Sequence, residues 1–308
     1  MQQSRLRIGT RGSPLALAQA REVQRLLIEA HGLHDETEIV VIKTTGDRIQ
    51  DRPLSEAGGK GLFTKEIEDA LLDGSIDLAV HSMKDMPTAL PDGLAITAML
   101  PREDVRDAFI SAKWPSIDAL PRGAVIGSSS LRRQAQLRRI RPDFEVVMYR
   151  GNVETRLRKL GEGDVDATLL AVAGLNRLGL AGRITAPVPL DVMLPAVAQG
   201  AVGIESRFDD SATAALLAPL NDPATSLCVT AERAFLARLE GSCRTPIAGL
   251  GQLDAGVFTF SGEILKPDGS ERHAATRQGQ PAAAVQLAID AAEELLKRAG
   301  PGFLGAAG

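Results

Sequence analysis

Only two cysteines, Cys228 and Cys243, occur in the 308 residues. That is too few for a disulfide framework, and neither stands in a CxxC or Cys/His spacing that holds zinc. Aromatic residues make up 3% of the chain, so platforms on which bases would stack are scarce. A basic surplus is missing as well. Lys and Arg number 35 against 39 Asp and Glu, which argues against a general nucleic-acid binder. No apolar run is long enough to span a bilayer, and the opening MQQSRLR has no apolar signal core. The expectation is a cytoplasmic chain working in reducing surroundings, with no membrane and no nucleic acid as partner.

What is present is ordinary globular composition, 44% hydrophobic, and at roughly 150 residues per domain the length gives two domains or three small ones. Short apolar runs alternate with amphipathic stretches. Leu6-Arg7-Ile8-Gly9 reads as a strand, Ser13 as an N-cap with Pro14 behind it, and a helix runs to about His31 with Gly32 as its stop. Residues 38–43 predict a second strand. Residues 47–61 predict a long polar loop ending Gly58-Gly59-Lys60-Gly61, without the Walker spacing of a phosphate loop. A helix carrying Phe63, Ile67 and Leu71 follows. Residues 124–172 repeat the pattern of strand, loop and helix, which predicts right-handed parallel units throughout. Residues 201–204 predict a strand returning to the first lobe. A helix over 225–239, antiparallel strands over 247–252 and 257–265, and a closing helix over 281–298 predict a smaller α+β domain.

Chemistry concentrates where strands end. Leu78-Ala79-Val80 is followed at once by His81, Ser82, Lys84 and Asp85, with Pro87 just beyond. Ligands of open α/β sheets sit past the carboxyl ends of strands, so this is either the place for a functional pair or a solvated surface turn. Ile8-Gly9-Thr10-Arg11-Gly12-Ser13 and Ile126-Gly127-Ser128-Ser129-Ser130 are alike: each is a strand feeding a small polar loop at a helix start. Ser13 there is either a plain helix cap or part of an anion site. Arg11, Arg132, Arg133, Arg150 and Arg156 all fall at strand ends or just after them. Guanidinium groups hold carboxylates in pairs of bonds, so several together point to a ligand with several carboxylates. Arg138, Arg139 and Arg141 read as a solvated basic face. Cys228 falls within a helix and reads as core. Cys243 falls in a loop beside Arg244, where a cation favours the nucleophilic thiolate; a partly buried, inert thiol is the other reading.

The motifs TRGSPLALAQA (10–20), GGKGLFTKEIE (58–68), AVHSMKDMP (79–87), SSSLRRQAQL (128–137), RGNVETRL (150–157), LAVAGLNRLG (170–179), AVAQGAVGIE (196–205) and EGSCRTPI (240–247) occur in this order. In that order the chain resembles the porphobilinogen deaminase family over nearly its whole length. The resemblance implies an α/β fold of two periplasmic-binding-protein-like lobes with mainly parallel sheets, plus a smaller C-terminal α+β domain. It places domain 1 at 1–98 and 198–218, domain 2 at 99–197 and domain 3 at 219–308. Glu56 and Ser242 depart from the family's pattern.

The activity implied is a transferase that condenses four porphobilinogen molecules head to tail, with loss of ammonia, into the linear tetrapyrrole hydroxymethylbilane. The implied cofactor is a dipyrromethane tethered through Cys243. By the same resemblance Asp85 is catalytic. Lys84, Ser128, Ser130, Arg132, Arg133 and Arg156 bind the cofactor; Arg11, Ser13, Arg150, Arg156 and Gln199 bind substrate. Gly58, Gly59, Lys60 and Gly61 form a lid, with Phe63 behind it. A monomer is implied, and no metal. Two rivals fit parts of the pattern: a non-catalytic two-lobed binding protein for a polycarboxylate, and a cysteine hydrolase pairing Cys243 with His81.

Overall fold

The computed structural model describes residues 5–33, 36–48, 63–241 and 245–304. In chain order its elements are β1 (Leu6–Arg11), α1 (Pro14–His31), β2 (Thr37–Ile42), α2 (Thr45–Arg48), α3 (Lys65–Leu72), β3 (Leu78–Ser82), β4 (Leu94–Met99) and β5 (Asp107–Ile110). Then come β6 (Val125–Gly127), α4 (Leu131–Ile140), β7 (Glu145–Val147), α5 (Val153–Glu162), β8 (Ala167–Ala171), α6 (Val172–Arg177), β9 (Ala186–Pro187), β10 (Val202–Arg207) and α7 (Ser211–Leu217). The chain closes with α8 (Pro223–Arg238), β11 (Ile247–Asp254), β12 (Val257–Leu265), β13 (Arg272–Gly279) and α9 (Ala284–Ala299). The residues gather into two compact units, Met1–Arg102 with Ala201–Ser226, and Glu103–Gly200 with Leu227–Gly308.

The first unit is a five-stranded sheet of order β2-β1-β3-β10-β4. Its strands are apolar on both faces because helices cover both. Ile8, Leu78, Val80 and Ile204 pack with Val23 and Leu27 of α1 on one side. Ala79 and Leu94 pack with Ile67 and Leu71 of α3 on the other. The signals at the ends of α1 act as read: the Ser13 side chain accepts from Ala16 N, Pro14 takes the first turn, and Gly32 closes the helix at φ 74°.

The second unit holds a like sheet, β7-β6-β8-β5-β9, and a three-stranded meander, β11-β12-β13. Phe109, Ile126 and Leu169 meet Leu137 of α4 on one face of the five-stranded sheet. On its other face Ile110, Leu170 and Tyr149 meet Leu157 of α5. The meander packs through Phe235 of α8 against Phe260, ring centroids 4.8 Å apart.

Three expectations need correction. The sheets are not parallel throughout: β10 runs antiparallel to β3 and β4, and β5 antiparallel to β8 and β9. These are the strands at which the chain passes from one unit's residues to the other's, so they enter without the crossover helix that parallel pairing requires. Strand β13, Arg-His-Ala-Ala-Thr-Arg-Gln-Gly, escaped the sequence pattern because its side chains are mostly polar and only Ala275 is fully buried. The closing helix opens with a 3-10 turn, Pro281–Ala283, and becomes α-helical at Ala284.

Candidate active site

In the first unit, three segments converge at the carboxyl ends of β1 and β3. The β1–α1 loop brings Arg11 and Ser13. The Ser13 hydroxyl accepts from Ala16 N at 3.2 Å, so it caps α1 as well as facing the recess. The Arg11 guanidinium lies over the Phe63 ring, its Cζ 4.1 Å from the centroid, an arrangement that holds a cation by the ring's negative face. Strand β3 ends at Ser82, whose hydroxyl lies 2.9 Å from Gln19 Nε2 and 3.1 Å from its Oε1.

Met83–Asp85 then forms one 3-10 turn, with Met83 buried, Lys84 half-buried and Asp85 exposed. Met83 N donates to Ala201 O at 3.0 Å, and the Met83 side chain packs over Gly203. A Cβ on Gly203 would stand 2.1 Å from Met83 Sδ, so any larger residue there forces the Met83 side chain to shift. Arg11, Ser13, Gln19, Phe63, His81 and Asp85 line the resulting recess, a small cavity of about 60 Å³.

In the second unit the organising group is one that the sequence reading missed. Asp107, the first residue of β5, is buried. Arg132 Nη1 and Nη2 lie 2.8 and 3.2 Å from its Oδ2 and Oδ1. Arg133 Nη2 and Nε lie 2.7 and 3.1 Å from Oδ1, and Gln199 Nε2 adds a bond of 2.9 Å. Burial alone would raise the Asp107 pKa, but the two guanidinium groups hold it well below the usual carboxylate range. Arg132 also donates to Leu194 O at 2.8 Å and to Gln136 Oε1 at 3.1 Å. Arg133 donates to Leu169 O at 3.0 Å. The buried Nε of Arg132 has no hydrogen-bond partner among the described residues.

Positive charge exceeds negative around this node. Arg156 is half-buried at the first turn of α5, with Nε donating to Gly151 O at 2.9 Å. Burial, reinforced by the nearby guanidinium groups of Arg133 and Arg150, pushes its pKa down to about 10. A guanidinium so depressed is short of a counter-charge. Ser130 caps α4 by accepting from Arg133 N at 3.4 Å, and the buried Ser128 hydroxyl accepts from Ser130 N at 3.3 Å. Gly127 admits the Tyr149 ring behind this loop, since a Cβ there would lie 2.5 Å from Tyr149 Cγ.

Of the residues singled out from sequence, Arg11, Ser13, Phe63 and Asp85 come together in the first unit. Arg132, Arg133 and Gln199 come together in the second, on a carboxylate of the chain's own. Arg150 and Arg156 are neighbours of Arg133 through their charge. Gly58, Gly59, Lys60, Gly61 and Cys243 lie outside the described residues. His81, paired with Cys243 in the hydrolase reading, bonds Glu205 instead. The missed Asp107 had one signal: an acid standing directly before the apolar run Ala108-Phe109-Ile110. An acid there heads a buried strand and needs buried cations, and the consecutive Arg132 and Arg133 supply them.

The fold and these loop ends define a class: α/β chains with helix-covered sheets that gather charged side chains past their strand ends, the place where open α/β sheets take ligands. Two family models match, "Porphobilinogen deaminase, dipyromethane cofactor binding domain" over residues 6–215 and "Porphobilinogen deaminase, C-terminal domain" over residues 226–297. A porphobilinogen deaminase of Paracoccus denitrificans is 61% identical over 302 residues, 98% of this chain and 96% of its own. One of Nitrobacter hamburgensis is 56% identical over 297 residues, 96% and 94%. The chain belongs to the porphobilinogen deaminase family. Solved structures of lower likeness include a periplasmic substrate-binding protein from Coxiella burnetii, 16% identical over 72% of this chain and 94% of its own, TM-score 0.43. Another is a methionine-binding lipoprotein from Bacillus subtilis, described as putative, 15% identical over 72% and 92%, TM-score 0.44.

Proposed function

We infer that this chain condenses porphobilinogen head to tail, with loss of ammonia, into hydroxymethylbilane. The observation that carries the reading at residue level is the surplus of guanidinium over carboxylate around Asp107, with Arg156 short of a counter-charge. Each pyrrole of the substrate carries an acetate and a propionate, so substrate and product are polyanions of the kind this surplus would receive.

The family's dipyrromethane cofactor fits the same residues. The unpartnered Arg132 Nε and the depressed Arg156 both call for acidic groups. In this proposal Arg132, Arg133 and Arg156 hold the cofactor's carboxylates with Lys84, Ser128 and Ser130. The cofactor is attached through Cys243, and when bound it supplies the ring on which the first substrate is added. Arg11, Ser13, Arg150, Arg156 and Gln199 bind the substrate, the arginines through its carboxylates. Gln199 positions Asp107, and through it both arginines. The lid 58–61, the three-domain division at 1–98 with 198–218, 99–197 and 219–308, the monomer and the cytoplasmic setting belong to the same proposal. Among the described residues no helix is long and apolar enough to cross a membrane.

Asp85 is assigned the chemistry. It is an exposed carboxylate on a short turn fixed by the Met83–Ala201 bond. Loss of ammonia leaves the incoming pyrrole electron-poor, and a carboxylate at the pyrrole N–H groups stabilises that positive charge and steers the proton. Arg11, stacked on Phe63, lines the same recess and draws the anionic side chains toward it.

The deciding experiment is the intact mass of the purified protein beside its Cys243→Ser variant. The expected result is an excess of two linked pyrrole units that the variant lacks, with hydroxymethylbilane formed from porphobilinogen only by the wild type. A wild type of unmodified mass that forms no product when given porphobilinogen would overturn the reading.

A further inference from the structure

Behind the recess of the first unit lie three ionisable side chains that the proposed roles leave unused. Glu68 of α3 and His81 of β3 are each 6% exposed, and Glu205 of β10 is 0% exposed. The strand register puts His81 opposite Gly203 and Ala79 opposite Glu205, so histidine and glutamate share the sheet face that α3 covers. His81 Nε2 lies 3.0 Å from Glu205 Oε2. Glu205 Oε1 and Glu68 Oε1 are both buried without a hydrogen-bond partner among the described residues.

Two carboxylates and an imidazole in so little water cannot all lose their protons, because desolvated like charges raise each other's cost. Burial, reinforced by the neighbouring Glu205, raises the Glu68 pKa above the ordinary carboxylate range. His81 alone of the three also lines the recess, beside Arg11 and Asp85. The His81 ring can donate or accept at either nitrogen according to its tautomer, and its Nε2 is the nitrogen that meets Glu205.

We propose that Glu68, His81 and Glu205 hold protons as one buried unit and that His81 exchanges a proton with the recess in every condensation. The proposal rests on the reading of Asp85 as the group at the reacting pyrrole. In each condensation the aminomethyl C–N bond breaks, a C–C bond forms, and the ring carbon making that bond gives up one proton. The departing ammonia takes one proton up, so the balance closes with a carrier that accepts and returns a single proton. His81 is that carrier; Glu205 stabilises its protonated form, and Glu68 keeps the pair from gathering two negative charges. The charged groups facing His81 are Glu205 from β10, Glu68 from α3, with Asp69 acting on Glu68 from the same helix, and Arg11 and Asp85 at the recess.

The test follows the His81 imidazole by nuclear magnetic resonance in the cofactor-loaded protein, wild type and Glu205→Gln, across pH, beside the pH profile of kcat. Removing the carboxylate that lies 3.0 Å from Nε2 is expected to move the His81 signals' midpoint to lower pH. The acid limb of the kcat profile moves down with it, because the carrier must start neutral. Glu68→Gln, the milder variant should Glu205→Gln fold poorly, moves both in the same direction by less. A midpoint that stays in place overturns the proposal, as does a midpoint that moves while the acid limb stays. Failure of the functional reading itself shows earlier and separately, as a wild type that makes no hydroxymethylbilane.

Discussion

Arg133 holds a single oxygen of Asp107 with two of its nitrogens, Nη2 at 2.7 Å and Nε at 3.1 Å. The pair joins the first turn of α4 to the first residue of β5. Arg132 takes up the same carboxylate from one residue earlier in the helix. Consecutive helical residues point about 100° apart, and the two long side chains converge on the one acid. Asp107 thereby fixes two cations at a site where a polyanion is expected, and satisfies only part of their charge.

Replacing Asp107 by alanine is expected to cost about 3–5 kcal/mol in unfolding free energy, because it strands buried cations. It should also slow cofactor loading, read from the intact mass. The native carboxyl has a depressed pKa. Its stabilisation is therefore complete above the unfolded value of about 3.9 and is lost as pH falls below that, toward the folded value. Wild type and Asp107→Ala unfolding curves should converge in acid and separate toward neutrality.

Asp85→Ala should leave the melting temperature in place, since an exposed position on a surface turn typically contributes within about 0.5 kcal/mol. Turnover should fall on the order of 100-fold or more, the scale of a lost general acid–base or charge-stabilising group. Product assay and calorimetry on the same sample check both. Near-normal turnover would remove Asp85 from its assigned role.

Arg156→Gln separates binding from stability. Its pKa of about 10 lies below the ordinary guanidinium value because burial and neighbouring cations disfavour its charge. Removing that charge should not destabilise the fold. The affinity for porphobilinogen should drop roughly 10- to 100-fold, the size of a lost charged hydrogen bond. Arg156→Lys should recover only part of it, lacking the paired geometry. Substrate saturation curves and a denaturant titration give the two readouts.

Gly203→Ala tests how the Asp85 turn is seated. The added methyl meets Met83 Sδ at 2.1 Å, and overpacking of this kind costs about 1–3 kcal/mol. Because Met83 belongs to the same turn as Lys84 and Asp85, kcat should fall with stability. Adding Met83→Ala frees the space, so the double variant should be less damaged than the sum of the singles.

The lobes were legible because their signals are local. Ser13-Pro14 and Gly32 mark the ends of α1, and Leu78-Ala79-Val80 is a strand whichever neighbours it finds. The strand-end positions of Arg11, Asp85 and Arg132 followed from the same reading. Pairing across long stretches was not legible. Nothing local in Val202–Arg207 says that it runs opposite to β3, and Arg272–Gly279 pairs through its backbone with few buried side chains. Asp107 and Glu205 were missed for a related reason. A buried acid is meaningful only through partners 25 and 124 residues away, and sequence distance hides them.

The reversed strand β10 also sets a timetable. It fills the place between β3 and β4, yet it begins at Val202, long after β4 ends at Met99. On a ribosome adding about 5–20 residues per second, the facing edges of β3 and β4 stay unpaired for roughly 5–20 s. Exposed edges of that kind invite pairing with other chains. The sheet that carries Asp85 is thus completed only after the intervening residues have been synthesised, and a nascent chain stalled before Val202 would be a client for chaperones rather than a half-formed enzyme.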